Sequence, residues 1–296
     1  MQIKRIDLSD DGRVYMIAYI GDKSPEMPYM DKRPAVVVCP GGAYYMTSDR
    51  EAEPIALNYL ARGFNAFVVR YSVYPHATFP NSLVDVSRAM KYIRDNAEEF
   101  GIYPDKIAVC GFSAGGHLAA SIGTLWNDPE VQELAGCSGE ENKPNALVLI
   151  YPVISSTRNV QPESIRHITI GIEDETKKVE ALAKVSLENQ VGKHTPPAFI
   201  AHTYSDNVVP VENPLLFASA MAAADVPFEL HIFQNGGHGL ALASHITFNN
   251  EYSIDEDFAK WIDLSAKWLY DTFGKNIPDG PYPRVTYENR CKGGIV

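Results

Sequence analysis

Val109-Cys110-Gly111-Phe112-Ser113-Ala114-Gly115-Gly116-His117 is the stretch that decides the fold of this chain. It joins a short apolar run, residues 107–110, directly to a helical pattern over residues 118–126. The motif G-x-S-x-G lies between them, and its two glycines let a strand turn sharply into a helix. Such a turn lifts the Ser113 hydroxyl clear of a sheet and sets it at a helix N-terminus, where backbone N–H groups are free. A plain connecting turn has the same composition, so the rest of the chain has to decide between the two interpretations.

Apolar runs alternate with helical patterns along most of the chain. Strands are predicted at residues 3–8, 14–20, 35–39, 64–71, 107–110, 146–151, 198–202 and 228–233. Helices are predicted at residues 52–62, 83–100, 118–126, 214–224 and 255–273. The alternation indicates an α/β fold with a mostly parallel, doubly wound sheet, preceded by an antiparallel hairpin of the first two strands.

Two segments depart from this alternation. Residues 152–194 have weak periodicity and lie between two predicted core strands, which favours a short cap insertion over a separate domain. Residues 275–296 are rich in proline and glycine and contain no clear element, so they are interpreted as a C-terminal tail. We therefore expect a single domain over residues 1–296. The hairpin and the tail leave a homo-oligomer open.

The composition narrows the range of partners. The chain has 296 residues, of which 45% are hydrophobic and 21% charged, as is usual for a globular protein. Its formal net charge of −11 argues against nucleic acid and anionic membranes as partners. No cluster of His, Cys or acidic residues has the spacing of metal ligands, so we expect neither a metal nor a cofactor.

The N-terminus and the cysteines bear on location. Residues 1–7 lack the apolar segment of a signal peptide, and no apolar run approaches the length that spans a membrane. Cys39 and Cys110 end apolar runs, where a cysteine usually behaves as a small hydrophobe, and no cysteines are spaced as C-x-x-C. We therefore expect a reduced, cytoplasmic protein.

A serine hydroxyl becomes a useful nucleophile when a base takes its proton and an anion orients that base. His238 lies in the glycine-rich segment Asn235-Gly236-Gly237-His238-Gly239, directly after the last predicted core strand. Asp206 follows the strand predicted at residues 198–202. Because the carboxyl ends of parallel strands meet at one edge of a sheet, Ser113, Asp206 and His238 are predicted to act together as a catalytic triad.

Structural alternatives exist for both partners of Ser113. Asp206 could instead cap a helix or form an Asx turn, and His238 could lie incidentally in a surface loop. Asp174 is a weaker rival to Asp206, because it lies inside the insertion. Three suitable residues after three predicted strands favour the catalytic interpretation.

The segment Cys39-Pro40-Gly41-Gly42-Ala43-Tyr44 follows the strand predicted at residues 35–39. Its glycines allow a tight backbone that points N–H groups into a cleft. We predict that the N–H groups of Gly42, Ala43 and Ala114 form an oxyanion hole. A structural turn is the alternative, whereas a phosphate loop is unsupported because the motif G-x-x-x-x-G-K-[ST] is absent from the sequence.

Together these motifs resemble the α/β-hydrolase esterases of the acetyl esterase/lipase group, in which Ser, Asp and His follow in this order. The residues that carry the resemblance are 40–43, 111–117, 206 and 237–239. The chain is more similar to the acetylxylan esterase branch, often labelled xylanase-B-like, through residues 69–72, 195–210, 232–240 and 261–269. The likeness covers about residues 33–273. One departure is Pro40-Gly41-Gly42-Ala43, where hormone-sensitive-lipase-like relatives have His-Gly-Gly-Gly.

The resemblance implies a serine carboxylesterase that hydrolyses short-chain acyl esters and deacetylates small acetylated sugars or xylo-oligosaccharides. Tyr44, Tyr45 and Tyr71 follow two predicted strands, together with Tyr74, and are candidates for substrate contact. A tyrosine offers a flat apolar face and a hydroxyl, which suits a sugar ring. Ordinary aromatic packing under the insertion is the alternative.

Two other functions share parts of this pattern. A serine peptidase of the prolyl-oligopeptidase type has the same core and triad, but such enzymes usually carry a large propeller domain for which this chain has no room. A non-catalytic ligand-binding protein with the hydrolase fold often lacks a member of the triad, whereas all three residue types are present here.

Overall fold

The computed structural model describes residues 1–274, and the predicted tail at 275–296 lies outside the described residues. One sheet contains eight strands: β1 (Gln2–Asp7), β2 (Tyr15–Ile20), β3 (Arg33–Cys39), β4 (Asn65–Arg70), β5 (Ile102–Phe112), β6 (Ala146–Ile150), β7 (Ala198–Thr203) and β8 (Phe228–Phe233). Their order in the sheet is β1-β2-β4-β3-β5-β6-β7-β8. Strands β3 to β8 are parallel, while β1 and β2 form an antiparallel hairpin that joins the sheet through β4. The predicted fold class is confirmed.

Helices cover both faces of this sheet. They are α1 (Glu53–Ala61), α2 (Asn81–Asp95), α3 (Ala114–Leu125), α4 (Pro129–Ala135), α5 (Pro162–Ile168), α6 (Glu175–Lys184), α7 (Glu212–Ala223) and α8 (Trp261–Phe273). Helices α1 and α8 bury their apolar residues against one face, and α2, α3 and α7 bury theirs against the other. Strand β3 is buried along its whole length because successive side chains enter the two opposite cores.

Several helix boundaries differ from the predicted ones. Helix α2 ends at Asp95 rather than at residue 100, and residues 96–101 form turns, the last of them at Gly101 with φ +58°, before β5 begins. The last helix begins at Trp261 rather than at residue 255. Residues 255–258 form a separate short turn before this helix, in which the Asp255 carboxylate accepts the N–H of Phe258 at 2.7 Å.

Helix α4 was not predicted, although its sequence carries clear boundary signals. Pro129 occupies the first turn, and the Asp128 side chain accepts the N–H groups of Glu130 and Val131. Gly136 ends the helix in the left-handed conformation, with φ +68°. Its short length, seven residues, hides the apolar periodicity on which the prediction depended.

Candidate active site

Ser113 lies in the sharp turn between β5 and α3. Its φ is +52° and its ψ −117°, a conformation that residues with a Cβ rarely adopt. The turn is held on both sides, because the Ser113 N–H donates to the Ile150 carbonyl at 3.0 Å and the Ser113 carbonyl accepts the N–H of His117 at 3.0 Å. The surrounding structure therefore fixes a strained backbone at the position predicted for the nucleophile.

The two glycines of the motif are required by close backbone packing. A Cβ on Gly111 would lie 2.0 Å from the Gly115 carbonyl oxygen. A Cβ on Gly115 would lie 2.1 Å from the Cys39 carbonyl oxygen, so the loop after β3 passes directly over the start of α3. Any larger residue at either position would push the nucleophile turn away from its neighbours.

We expect Gly115→Ala to lower the free energy of unfolding by about 3 kcal/mol, because its methyl group meets rigid backbone rather than a movable side chain. Urea denaturation measures the loss. The matched control is Gly139→Ala, since Gly139 has φ +55° but nothing within 4 Å of its added Cβ. That variant should lose about 1 kcal/mol, from backbone strain alone. Equal losses in the two variants would contradict the packing argument.

The side chains of Ser113, His238 and Asp206 form one hydrogen-bonded chain. His238 Nδ1 lies 2.7 Å from Asp206 Oδ2, and His238 Nε2 lies 2.8 Å from Ser113 Oγ. Because an ionised carboxylate accepts hydrogen bonds and cannot donate one, Nδ1 carries a proton and Nε2 accepts the hydroxyl proton of Ser113. The structure thus brings together the three residues that the sequence predicted, in the geometry for removing a proton from serine.

Asp206 is held by more than the imidazole. Its Oδ1 accepts the N–H groups of Val208 and Val209, both at 2.9 Å. Burial by itself would raise the pKa of Asp206, but the hydrogen bond and charge of His238 and the two backbone N–H groups outweigh it and lower that pKa. The Asx-turn alternative is therefore also realised, through the second carboxylate oxygen. The rival Asp174 instead caps α6 by accepting the N–H of Lys177.

The loop after β3 lies against Ser113. A Cβ on Gly41 would lie 3.1 Å from the Ser113 Cβ. Gly42 and Ala43 have φ values of +126° and +52°, which turn the backbone tightly at this point. Across residues 1–274, no acceptor is found for the N–H groups of Gly42, Ala43 and Ala114, the three predicted donors. Unpaired N–H groups beside a serine nucleophile can receive an acyl oxygen as it gains negative charge.

The predicted substrate tyrosines fall into two groups. Tyr44 and Tyr71 are each 2% exposed. Tyr44 shares a 2.8 Å hydrogen bond with His117 Nδ1, and the Tyr71 hydroxyl donates to the Pro40 carbonyl at 2.5 Å. The burial of these two side chains favours the packing alternative, in which both stabilise the loop after β3. By contrast, Tyr45 is 61% exposed.

Tyr45 belongs to an aromatic cluster with Tyr74 and His167. The ring centroids of Tyr45 and Tyr74 lie 6.0 Å apart, and those of Tyr45 and His167 lie 5.7 Å apart. His167 Nδ1 also donates to the Ala43 carbonyl at 2.8 Å. Since His167 comes from α5, inside the insertion, the cluster joins the insertion to the loop beside Ser113.

A second contact between the insertion and the site runs through His117. Its Nε2 donates to the Val185 carbonyl at 2.9 Å, so its Nδ1 accepts the Tyr44 hydroxyl. Burial lowers the pKa of His117 to about 4, which keeps the ring neutral. The insertion thus contacts both the start of α3 and the loop after β3.

Two buried residues at the site were not predicted from the sequence. The carboxylate of Glu51 accepts the Gly41 N–H at 2.8 Å and the Tyr151 hydroxyl at 2.7 Å. Glu51 stands in the charged run Asp49-Arg50-Glu51, which has the composition of a solvated helix start. No local signal separates it from an exposed acid, although Tyr151 does share with the other site residues a position directly after a core strand.

Two absences concern the described part of the chain. Within residues 1–274, no helix combines the length and apolarity needed to cross a bilayer. Over the same residues, no group of three or more His, Cys, Asp or Glu side chains is arranged to hold a metal ion.

Comparison with known proteins places the chain in a family. The BD-FAE family model matches residues 25–221. The chain is 37% identical over 237 residues to endo-1,4-beta-xylanase B of Butyrivibrio fibrisolvens, a match that covers 76% of this chain. It is 32% identical over 283 residues to the acetylxylan esterase of Xylanibacter ruminicola, a match that covers 93% of this chain.

The relatives differ in length from this chain. The matches span 36% of the xylanase B and 54% of the acetylxylan esterase, so both curated proteins extend well beyond the matched region. A solved structure agrees over nearly its full length. The acetyl ester-xyloside bifunctional hydrolase of Caldicellulosiruptor lactoaceticus is 34% identical, with a TM-score of 0.75, covering 92% of this chain and 96% of that one.

These matches confirm the resemblance that the sequence motifs predicted. The family model covers more than half of the chain, from before β3 into α7, and includes the nucleophile turn and the loop beside it. The chain belongs to the BD-FAE family of α/β-hydrolases.

Proposed function

We propose that this protein is a serine carboxylesterase that removes acetyl groups from small acetylated sugars or xylo-oligosaccharides. The observation that carries the proposal is the hydrogen-bonded chain from Ser113 through His238 to Asp206, beside three unpaired N–H groups. Similarity to proteins named acetylxylan esterase and acetyl ester-xyloside hydrolase supports both the acetyl ester and the sugar alcohol.

In the first half-reaction the enzyme becomes acylated. Ser113 Oγ attacks the ester carbonyl carbon while its proton passes to His238 Nε2. The carbonyl oxygen becomes an oxyanion and receives the N–H groups of Gly42, Ala43 and Ala114. Collapse of this intermediate breaks the bond to the alcohol oxygen, which takes the proton from His238 and leaves as the free sugar hydroxyl.

In the second half-reaction water replaces the alcohol. His238 takes one proton from the water as its oxygen attacks the acyl carbon of the Ser113 ester. The second oxyanion forms in the same hole and collapses, the bond to Ser113 Oγ breaks, and the proton returns to the serine. Acetic acid leaves and loses its proton to the solvent, and the enzyme regains its starting state. This cycle requires neither a metal nor a cofactor.

The surroundings of the site support a small sugar as the alcohol. Tyr45 and Tyr74 are 61% and 42% exposed and lie next to the loop that would hold the oxyanion. Their ring faces offer an apolar surface with hydroxyls at the rim, which matches the alternating character of a sugar ring. In this proposal residues 152–194 act as a cap on a single domain, and the protein works in the cytoplasm, in keeping with the unpaired thiols of Cys39 and Cys110.

The proposal is tested with a series of p-nitrophenyl esters of increasing acyl length beside acetylated xylo-oligosaccharides. We expect kcat/KM to be highest for acetate and to fall for longer acyl chains, and we expect acetate release from the oligosaccharides. A preference for long acyl chains would rule out deacetylation of sugars as the function, while the assignment as an esterase would stand. Hydrolysis of aminoacyl amides in place of esters would favour the serine peptidase.

We expect Tyr45→Ala to raise KM for acetylated xylo-oligosaccharides about five- to tenfold, because a stacking face of roughly 1 kcal/mol is lost. The kcat should stay within a factor of about two, since the ring contacts of Tyr45 are with Tyr74 and His167 rather than with the triad. Steady-state release of acetate measures both constants.

Two controls define this result. Tyr29→Ala removes a tyrosine that is similarly exposed, at 58%, but belongs to the short turn before β3, and it should leave KM unchanged. Ethyl acetate has no ring to stack, so its turnover should be equal in Tyr45→Ala and the wild type. An equal rise in KM for ethyl acetate would show that Tyr45 shapes the site in general and binds no sugar.

A further inference from the structure

Glu51 is a buried acid that lies between the loop after β3 and the loop of His238, both of which the proposed reaction uses. It is 4% exposed, and both carboxylate oxygens have partners. Oε2 accepts the N–H of Gly41, the residue before the predicted oxyanion donors, at 2.8 Å. Oε1 accepts the hydroxyl of Tyr151 at 2.7 Å. One side chain therefore fixes the loop after β3 and the first residue after β6.

Tyr151 carries the connection onward to the loop of His238. The N–H of Ala241, three residues after His238, donates to the Tyr151 hydroxyl at 2.8 Å. The carbonyl of the same Ala241 accepts the indole N–H of Trp261 at 2.8 Å, so this loop residue is held at both of its backbone groups. The Tyr151 ring also packs edge-on against the His238 ring, with centroids 5.1 Å apart.

The hydrogen-bond pattern fits an ionised carboxylate. Tyr151 accepts from Ala241 and must donate its own proton to Glu51, while Gly41 can only donate. Both oxygens of Glu51 are therefore acceptors. Burial raises the pKa of Glu51, and the hydrogen bonds from Tyr151 and Gly41 together with the charges of His238 and Arg50 oppose that rise.

We infer that Glu51 is a positioning residue that sets the oxyanion loop and the His238 loop at a fixed distance through Tyr151, and that its negative charge stabilises the imidazolium formed at His238 during the reaction. The inference rests on the proposed function. It adds a second carboxylate to the site, beside Asp206. The two differ in role, because Asp206 bonds the imidazole directly while Glu51 reaches it through Tyr151 and through space.

The charged and titratable groups around this network define what a pH experiment reports. Those facing Glu51 are Tyr151, His238, Arg50, Tyr71 and Cys110. Those facing His238 are Asp206, Ser113, Tyr151, Glu51 and the buried His202. Glu51 and Asp206 are the acids in these two sets, so Glu51→Gln changes the acidic charge beside His238 without touching its hydrogen bond to Asp206.

The test compares Glu51→Gln with Tyr151→Phe. Tyr151→Phe removes the hydrogen bond to Glu51, whereas Glu51→Gln leaves a single carbonyl oxygen for the two donors Tyr151 and Gly41, so one of those two hydrogen bonds is lost. We expect each variant to lower kcat for p-nitrophenyl acetate by roughly 10- to 100-fold with KM within a factor of about two. Glu51→Gln also removes the charge, so the acid limb of its kcat/KM profile moves to lower pH by roughly several tenths of a unit. Tyr151→Phe keeps the charge and should keep the acid limb in place.

The matched control is Asp85→Asn. Asp85 is also buried and accepts a backbone N–H, that of Ser72, at 2.9 Å, but it lies on α2, and Ser72 belongs to neither of the two loops. We expect its kcat and acid limb to match the wild type. An unchanged kcat in Tyr151→Phe, or an acid limb that stays in place in Glu51→Gln, overturns the inference. A wild-type protein without esterase activity would instead refute the proposed function, so the two failures are distinguishable.

Discussion

Ser113→Ala is expected to lower kcat for p-nitrophenyl acetate by about four orders of magnitude or more. Alanine removes the atom that attacks the acyl carbon, which is also the hydrogen-bond partner of His238 Nε2 at 2.8 Å. The unpaired N–H groups of the loop stay in place, so a small residual rate above the uncatalysed reaction is expected. Initial rates at saturating substrate measure the loss, with the spontaneous hydrolysis subtracted.

The control for this variant is Ser121→Ala. Ser121 lies on α3, eight positions after Ser113, and is 2% exposed, with its hydroxyl bonded to the His117 carbonyl at 2.8 Å. Its removal should change stability by about 1 kcal/mol and leave kcat unchanged. A fluorophosphonate should label the wild type and Ser121→Ala but not Ser113→Ala. If Ser113→Ala kept wild-type turnover, another residue would be the nucleophile and the proposed mechanism would fail.

The parts of this site that the sequence predicts are those that follow strands. Ser113, Asp206 and His238 each lie after an apolar run, and a parallel sheet brings the ends of such runs to one edge. The G-x-S-x-G motif can also be recognised from local sequence. Its glycines are required because the strand–turn–helix packs closely against its own backbone and against the loop after β3. Local pattern and sheet topology together were enough to predict these residues.

The parts that the sequence does not predict depend on distant contacts. Whether a tyrosine after β3 or β4 faces solvent or packs inward depends on the loop conformation, and the chain turns Tyr44 and Tyr71 inward while leaving Tyr45 outside. Glu51 and Tyr151 are 100 residues apart in the chain, and the sequence around neither residue predicts the hydrogen bond between them. Residue spacing predicts which side chains share an element, whereas pairs of this kind follow from how the loops pack on one another.

Asp206→Asn is expected to lower kcat by about 10³- to 10⁴-fold although it leaves the shape of the site almost unchanged. The reason lies in the two oxygens of Asp206. Oδ1 accepts two backbone N–H groups, from Val208 and Val209, so an asparagine must place its carbonyl oxygen there. Its NH₂ group is then forced into the position of Oδ2, 2.7 Å from His238 Nδ1.

That NH₂ group can only donate, so His238 Nδ1 must become an acceptor and the proton moves to Nε2. An Nε2 that carries a proton donates to Ser113 Oγ and cannot take its proton, so the nucleophile is no longer activated. Substrate binding is untouched by this change, and KM should stay within a factor of about two while kcat falls. Asp174→Asn, which alters the cap of α6, is the matched control and should match the wild type. A loss of less than tenfold in Asp206→Asn would mean that the two backbone N–H groups do not fix the amide, and that the tautomer of His238 has another source.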